Sequence, residues 1–103
     1  MDTRTNEIEA QVEKYLVDTI EELGGLCLKF GVVGQRGYQD RLCVLPGNVI
    51  FFVEVKRPRR GVLAKLQAHR RSEMETRGVR CYIVKNRGEI DDVVRKEIGM
   101  VGT

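Results

Sequence analysis

The sequence predicts an α/β fold, a small mixed sheet flanked by helices, with elements in the order αβββαβα. Three observations carry this. Apolar residues recur at helical spacing near both ends of the chain, two apolar runs flank a short glycine-containing turn, and the second of these runs is separated from a fourth by a helix-length segment. With 103 residues there is room for one hydrophobic core, so residues 1–103 are expected to form a single domain.

The first helix rests on Ile8, Val12, Leu16, Ile20 and Leu23, which share one face, with the pair Gly24-Gly25 as its stop. "LCLKF" (26–30) reads as a strand. "GVVGQRGYQ" (31–39) holds three glycines and forms a loop that turns sharply or approaches another element closely. "DRLCVL" (40–45) is the second strand, "PGN" a turn, and "VIFFVEVK" (49–56) the third and most apolar strand. Two runs around three turn residues make an antiparallel hairpin. A second helix fits 63–77, with Leu63, Leu66, Arg70 and Met74 on or near one face and Gly78 ending it. "VRCYIV" (79–84) is the fourth strand, "NRG" a turn, and 89–98 a last helix with Ile90, Val93, Val94 and Ile98 inward. A helix between strands three and four calls for a parallel crossover connection.

Hydrophobic residues make up 42% and charged residues 32%, with two prolines and no low-complexity run, which excludes a disordered chain. The net charge of +3 is modest, but its distribution is polarised. Residues 1–25 carry seven acids and two bases, whereas "KRPRR" (56–60), Lys65 and "HRR" (69–71) concentrate positive charge and suit an anionic partner. Cys27, Cys43 and Cys81 sit inside apolar runs without zinc-site spacing, so they read as reduced core thiols. No signal-like segment opens the sequence and no apolar stretch approaches the ~20 residues that span a bilayer. A cytoplasmic protein without a membrane partner is expected.

"FFVEVKRPRRG" (51–61) raises the chemical question. Glu54 and Lys56 are two residues apart in a strand apolar enough for a core, so they point the same way. If the hairpin closes at 46–48, paired positions have numbers summing to about 94, which sets Asp40 level with Glu54. Two facing carboxylates repel unless a cation lies between them, and hard oxygen ligands suit Mg²⁺ or Mn²⁺. Lys56 would then orient a water or stabilise charge on a phosphate. Arg57, Arg59, Arg60, Arg70 and Arg71 are placed to carry an anionic backbone. Taken singly, Asp40 reads equally as a turn residue and the Glu–Lys pair as a solvent-facing strand end. Their conjunction describes metal-assisted phosphodiester hydrolysis.

These residues also carry a family resemblance. "VEKYLV", "GGLCLKF", "RGYQD", "FVEVKRP", "KLQ" and "GVRCYIV", spread over residues 8–85, resemble the VRR-NUC domains of bacteria and phages, within the PD-(D/E)xK nuclease superfamily. The resemblance implies a restriction-endonuclease-like αβββαβ core in which Asp40, Glu54 and the carbonyl of Val55 bind the metal and Lys56 is the catalytic lysine. It also implies supporting roles for Gln67 and for a glutamate of the first helix, matched by position to Glu13. Glu9, one turn earlier on nearly the same face, stands in reserve. The family's usual Pro-Asp is Gln39-Asp40 here, which removes a backbone restraint but no reacting group. Lys29, Arg36, Tyr38 and Lys65 join the arginines as DNA-binding candidates. His69 reads as a residue near the DNA surface.

The expectation is therefore a Mg²⁺- or Mn²⁺-dependent DNA endonuclease in a bacterial or phage-infected cell, selective for branched DNA of the Holliday-junction type and acting as a homodimer, since two symmetric cuts need two sites. The rivals are a non-catalytic DNA-binding module on the same fold and a restriction-type nuclease acting on linear duplex.

Overall fold

In a computed structural model, which describes residues 8–37, 41–55 and 62–101, the expected order of elements holds. Helix α1 (Glu9–Glu22) leads into β1 (Leu26–Lys29), β2 (Arg41–Leu45) and β3 (Val49–Val55). Helix α2 (Val62–Glu75), β4 (Cys81–Val84) and α3 (Arg87–Val101) follow. The four strands lie in chain order, β1-β2-β3-β4, with β1, β2 and β3 antiparallel and β4 parallel to β3. The hairpin register runs from Leu45↔Val49 to Arg41↔Val53, so paired numbers sum to 94 as expected.

Alternation along β3 divides the sheet into two faces. Val49, Phe51, Val53 and Val55 are each at most 4% exposed and form the core with Val12, Leu16 and Ile20 of α1 and Ile90 and Val94 of α3. The Tyr15 hydroxyl donates to Asp91 at 2.7 Å and ties these two helices together. Ile50, Phe52 and Glu54 point to the other face. There the ring of Phe30 meets Phe52 edge-on, with centroids 4.8 Å apart, and Arg71 of α2 reaches Glu54.

Of the boundaries that move from expectation, two do so for clear local reasons. Helix α3 absorbs the expected "NRG" turn because Asn86 caps it. The Asn86 Oδ1 accepts the Glu89 N–H at 2.9 Å, and the Glu89 carboxylate accepts the Lys85 N–H at 2.7 Å, a reciprocal cap. Strand β4 starts at Cys81 because the Val79 N–H is spent on the Met74 carbonyl at 3.1 Å, closing the end of α2. Among the described side chains of α2 Gln67 is the buried one, with Leu66, Arg70 and Met74 of the expected face half-buried and the Leu63 side chain outside those described. A polar side chain is turned inward because the sheet end beside it carries Glu54. All three cysteines are free thiols, with Cys27 and Cys43 buried side by side on β1 and β2.

Candidate active site

Glu54 is the penultimate residue of the central strand, and its burial follows from that position. It is 7% exposed, on the face away from α1 and α3. A carboxylate so placed needs a positive partner, and the guanidinium of Arg71 lies 3.7 Å from its Oε1. Gln67 stands one helical turn before Arg71 and is 8% exposed, so both project toward the sheet from the same side of α2. Val55, beside Glu54, turns its side chain into the core, where it is 2% exposed.

The glycine loop is fastened to the same helix. Gly37 has φ +85°, a conformation that suits glycine. A Cβ there would stand 2.8 Å from Leu66 Cγ and 3.1 Å from the Leu66 carbonyl carbon. Arg70 Nε donates to the carbonyl of Arg36 at 3.3 Å, and its other arm pairs with Glu73 at 3.2 Å. Helix α2 thus grips, through adjacent arginines, both the loop that leads to Asp40 and the strand end that carries Glu54.

Glu13 has a different setting. Arg41 donates to it through Nε at 2.9 Å, with a second nitrogen also at 2.9 Å. Arg41 pairs with Val53, whose side chain faces α1, so the Glu13–Arg41 pair lies across the sheet from Glu54. Glu9 is half-buried one turn earlier. Lys29 is paired with Arg41 on β1 and exposed; Arg36 and Lys65 are exposed as well. His69 is exposed beside Glu73, 3.6 Å away. Tyr38, Asp40, Lys56, Arg57, Arg59 and Arg60 lie outside the described residues. Among those described, no three His, Cys, Asp or Glu side chains converge as metal ligands.

Two features escaped sequence reasoning. Arg71 was one of several basic residues, and only its spacing of four from Gln67 hinted at a shared face. The second is on the far side of β4. Glu97 of α3, wholly buried, accepts from Arg80 Nε at 2.7 Å and from the Tyr82 hydroxyl. Arg80 also donates to the Ile50 carbonyl at 3.1 Å, tying α3 to β3. Burial, with the bond to Glu97 behind it, pushes the Tyr82 phenol up to about 12. Burial likewise raises the Cys81 thiol to about 11.

No family model matches the sequence. The chain is similar to a curated protein named "Putative nuclease p44" from Acyrthosiphon pisum secondary endosymbiont phage 1. The two are 46% identical over 50 residues, 48% of this chain and 54% of that protein, so the chain spans about half the length of this relative. It is also similar to a solved structure described as a VRR_NUC domain, 32% identical, with a TM-score of 0.76. That likeness covers 84% of this chain and 94% of the solved one. With that identity over nearly the whole of a solved domain, and with the αβββαβ order and strand register its motifs predicted, the chain belongs to the VRR-NUC family of the PD-(D/E)xK nuclease superfamily.

Proposed function

We propose that the protein is a divalent-metal-dependent endonuclease that hydrolyses phosphodiester bonds in branched DNA. The observation that carries this reading is the buried carboxylate of Glu54 at the end of the central strand, in a hairpin whose register runs to the residue next to Asp40. Carboxylates and a backbone carbonyl are the hard oxygen donors that Mg²⁺ and Mn²⁺ take, so Asp40, Glu54 and the carbonyl of Val55 fit such an ion. Glu13, paired with Arg41 on the opposite face of the sheet, stands outside this set. When bound, the ion supplies Lewis acidity and a more acidic water.

The chain's own groups do the rest. Lys56 holds its ammonium proton toward a phosphate oxygen or the attacking water. Gln67, buried one helical turn before Arg71 on α2, offers an amide to fix that water. Arg57, Arg59 and Arg60 carry the phosphate backbone, with Lys29, Arg36, Tyr38 and Lys65 around them. A four-way junction has two-fold symmetry, which favours a homodimer with one site for each cut.

The test is cleavage of a labelled four-way junction, a flap, a linear duplex and a single strand in Mg²⁺ or Mn²⁺. The junction is expected to be cut in preference, with Glu54→Ala and Lys56→Ala each lowering the rate at least about 100-fold. Failure of the intact protein to cut any of these substrates in either metal would overturn the reading. Preference for linear duplex would move it to a restriction-type nuclease. Size-exclusion mass with and without the junction tests the dimer.

A further inference from the structure

The Glu54–Arg71 contact is an ion pair of an unusual kind for a buried carboxylate. At 3.7 Å it is longer than a charge-assisted hydrogen bond, which spans about 2.7–2.9 Å. The guanidinium therefore neutralises Glu54 through space without being locked to it. The two ends also differ in surroundings. The Glu54 side chain is 9% exposed, whereas that of Arg71 is 23% exposed, so the arginine borders solvent while the carboxylate does not. Arg71 rises from a helix that is held independently of Glu54, by Arg70 on the Arg36 carbonyl and by Leu66 against Gly37. A change in its partner need not move the backbone.

A divalent ion on Glu54 brings two positive charges next to that guanidinium. With such an ion bound, Glu54 would no longer need the guanidinium, and like-charge repulsion would favour Arg71 turning toward solvent and an anionic DNA backbone. We propose that Arg71 is a charge-exchange residue. It is a counter-ion of Glu54 in the metal-free protein, and it passes to a DNA phosphate when a divalent cation takes Glu54. This rests on the nuclease reading and adds a residue whose role depends on the metal. Arg71 positions Glu54 in one state and the substrate in the other, so metal loading and DNA binding are coupled through one side chain.

The experiment measures affinity for a labelled four-way junction across a salt series, in chelator and in Ca²⁺, together with Mn²⁺ affinity by calorimetry. It compares the intact protein with Arg71→Gln. In chelator the two should share one salt slope. In Ca²⁺ the intact protein should be steeper by about 0.9, the contribution of one phosphate contact. Mn²⁺ should bind Arg71→Gln at least about threefold more tightly, because the competing cation is gone. A merely structural arginine would shift both slopes together and weaken metal binding, and either result overturns the exchange.

If Arg71→Gln does not fold, Glu54→Gln gives the same test from the other side. It frees Arg71 without metal, so its slope in chelator should exceed that of the intact protein by about 0.9, and an unchanged slope overturns the proposal. An intact protein that binds neither Mn²⁺ nor DNA would defeat the nuclease reading itself. Normal binding of both, with slopes indifferent to Arg71, would defeat only the exchange.

Discussion

Gly37 shows how closely the candidate site depends on single positions. Its φ of +85° and its approach to Leu66 both exclude a side chain. Gly37→Ala should cost about 1–3 kcal/mol and shift the loop that leads to Asp40. A misplacement of ~1 Å in a catalytic group can slow chemistry about 100-fold, so cleavage should fall by that order. Gly31→Ala, where an added Cβ meets nothing within 4 Å, is the control and should retain activity. A stable Gly37→Ala protein with full cleavage would show that the loop is not positioned through α2. At this scale the sequence made Glu54 legible, because an acid in an apolar strand stands out. Arg41 and Arg71 were not legible as partners of Glu13 and Glu54. Each pair joins a helix to a strand, and which residues meet depends on how the two elements are docked.

Among the elements, the strands were the easiest to read, since an apolar run around a three-residue turn fixes both the hairpin and its register. Helix ends were harder. The Asn86 cap and the Val79–Met74 hydrogen bond each move a boundary by two residues, through side-chain and backbone bonds that periodicity does not encode. The burial of Gln67 on α2 was missed for a related reason: Leu63, Leu66, Arg70 and Met74 were expected on or near the inner face, and the sheet end that α2 faces is charged.

The β4–α3 junction yields two predictions. Arg80→Ala would leave Glu97 buried without its cation and should destabilise the protein by about 3 kcal/mol, read from the urea midpoint. Tyr82 and Cys81 make the same junction sensitive to alkali. Folding raises the phenol from near 10 to about 12 and the thiol from near 9 to about 11. Both are neutral below their ordinary values, so their contribution is whole below about pH 9 and is lost as pH climbs through 11 and 12. The urea midpoint should therefore fall across that window. Tyr82→Phe should flatten its upper part, and an unchanged alkaline limb would contradict the assignment.

At the scale of the whole molecule, one face of the sheet holds the core with α1 and α3, and the other holds Glu54 beneath α2. The apolar face can be complete while the opposite face keeps a buried acid and a helix bearing two arginines, and it is on that second face that the proposed chemistry falls. The topology was legible because the β2–β3 turn is short and the β3–β4 connection is helical, leaving few alternatives. The opposite placement of Glu13 was not, because a position on α1 can be read from the sequence while the sheet face that α1 covers cannot. Among the described residues no helix is long and apolar enough to cross a membrane. The central claim, that Glu54 and Asp40 hold a divalent cation at the end of β3, is tested most directly by anomalous scattering from crystals of the protein soaked in Mn²⁺. The account predicts one strong peak about 2.1 Å from a Glu54 carboxylate oxygen, shared with Asp40 and the Val55 carbonyl and absent from Glu54→Ala. A peak elsewhere, or none at Glu54 in fully soaked crystals, would contradict it.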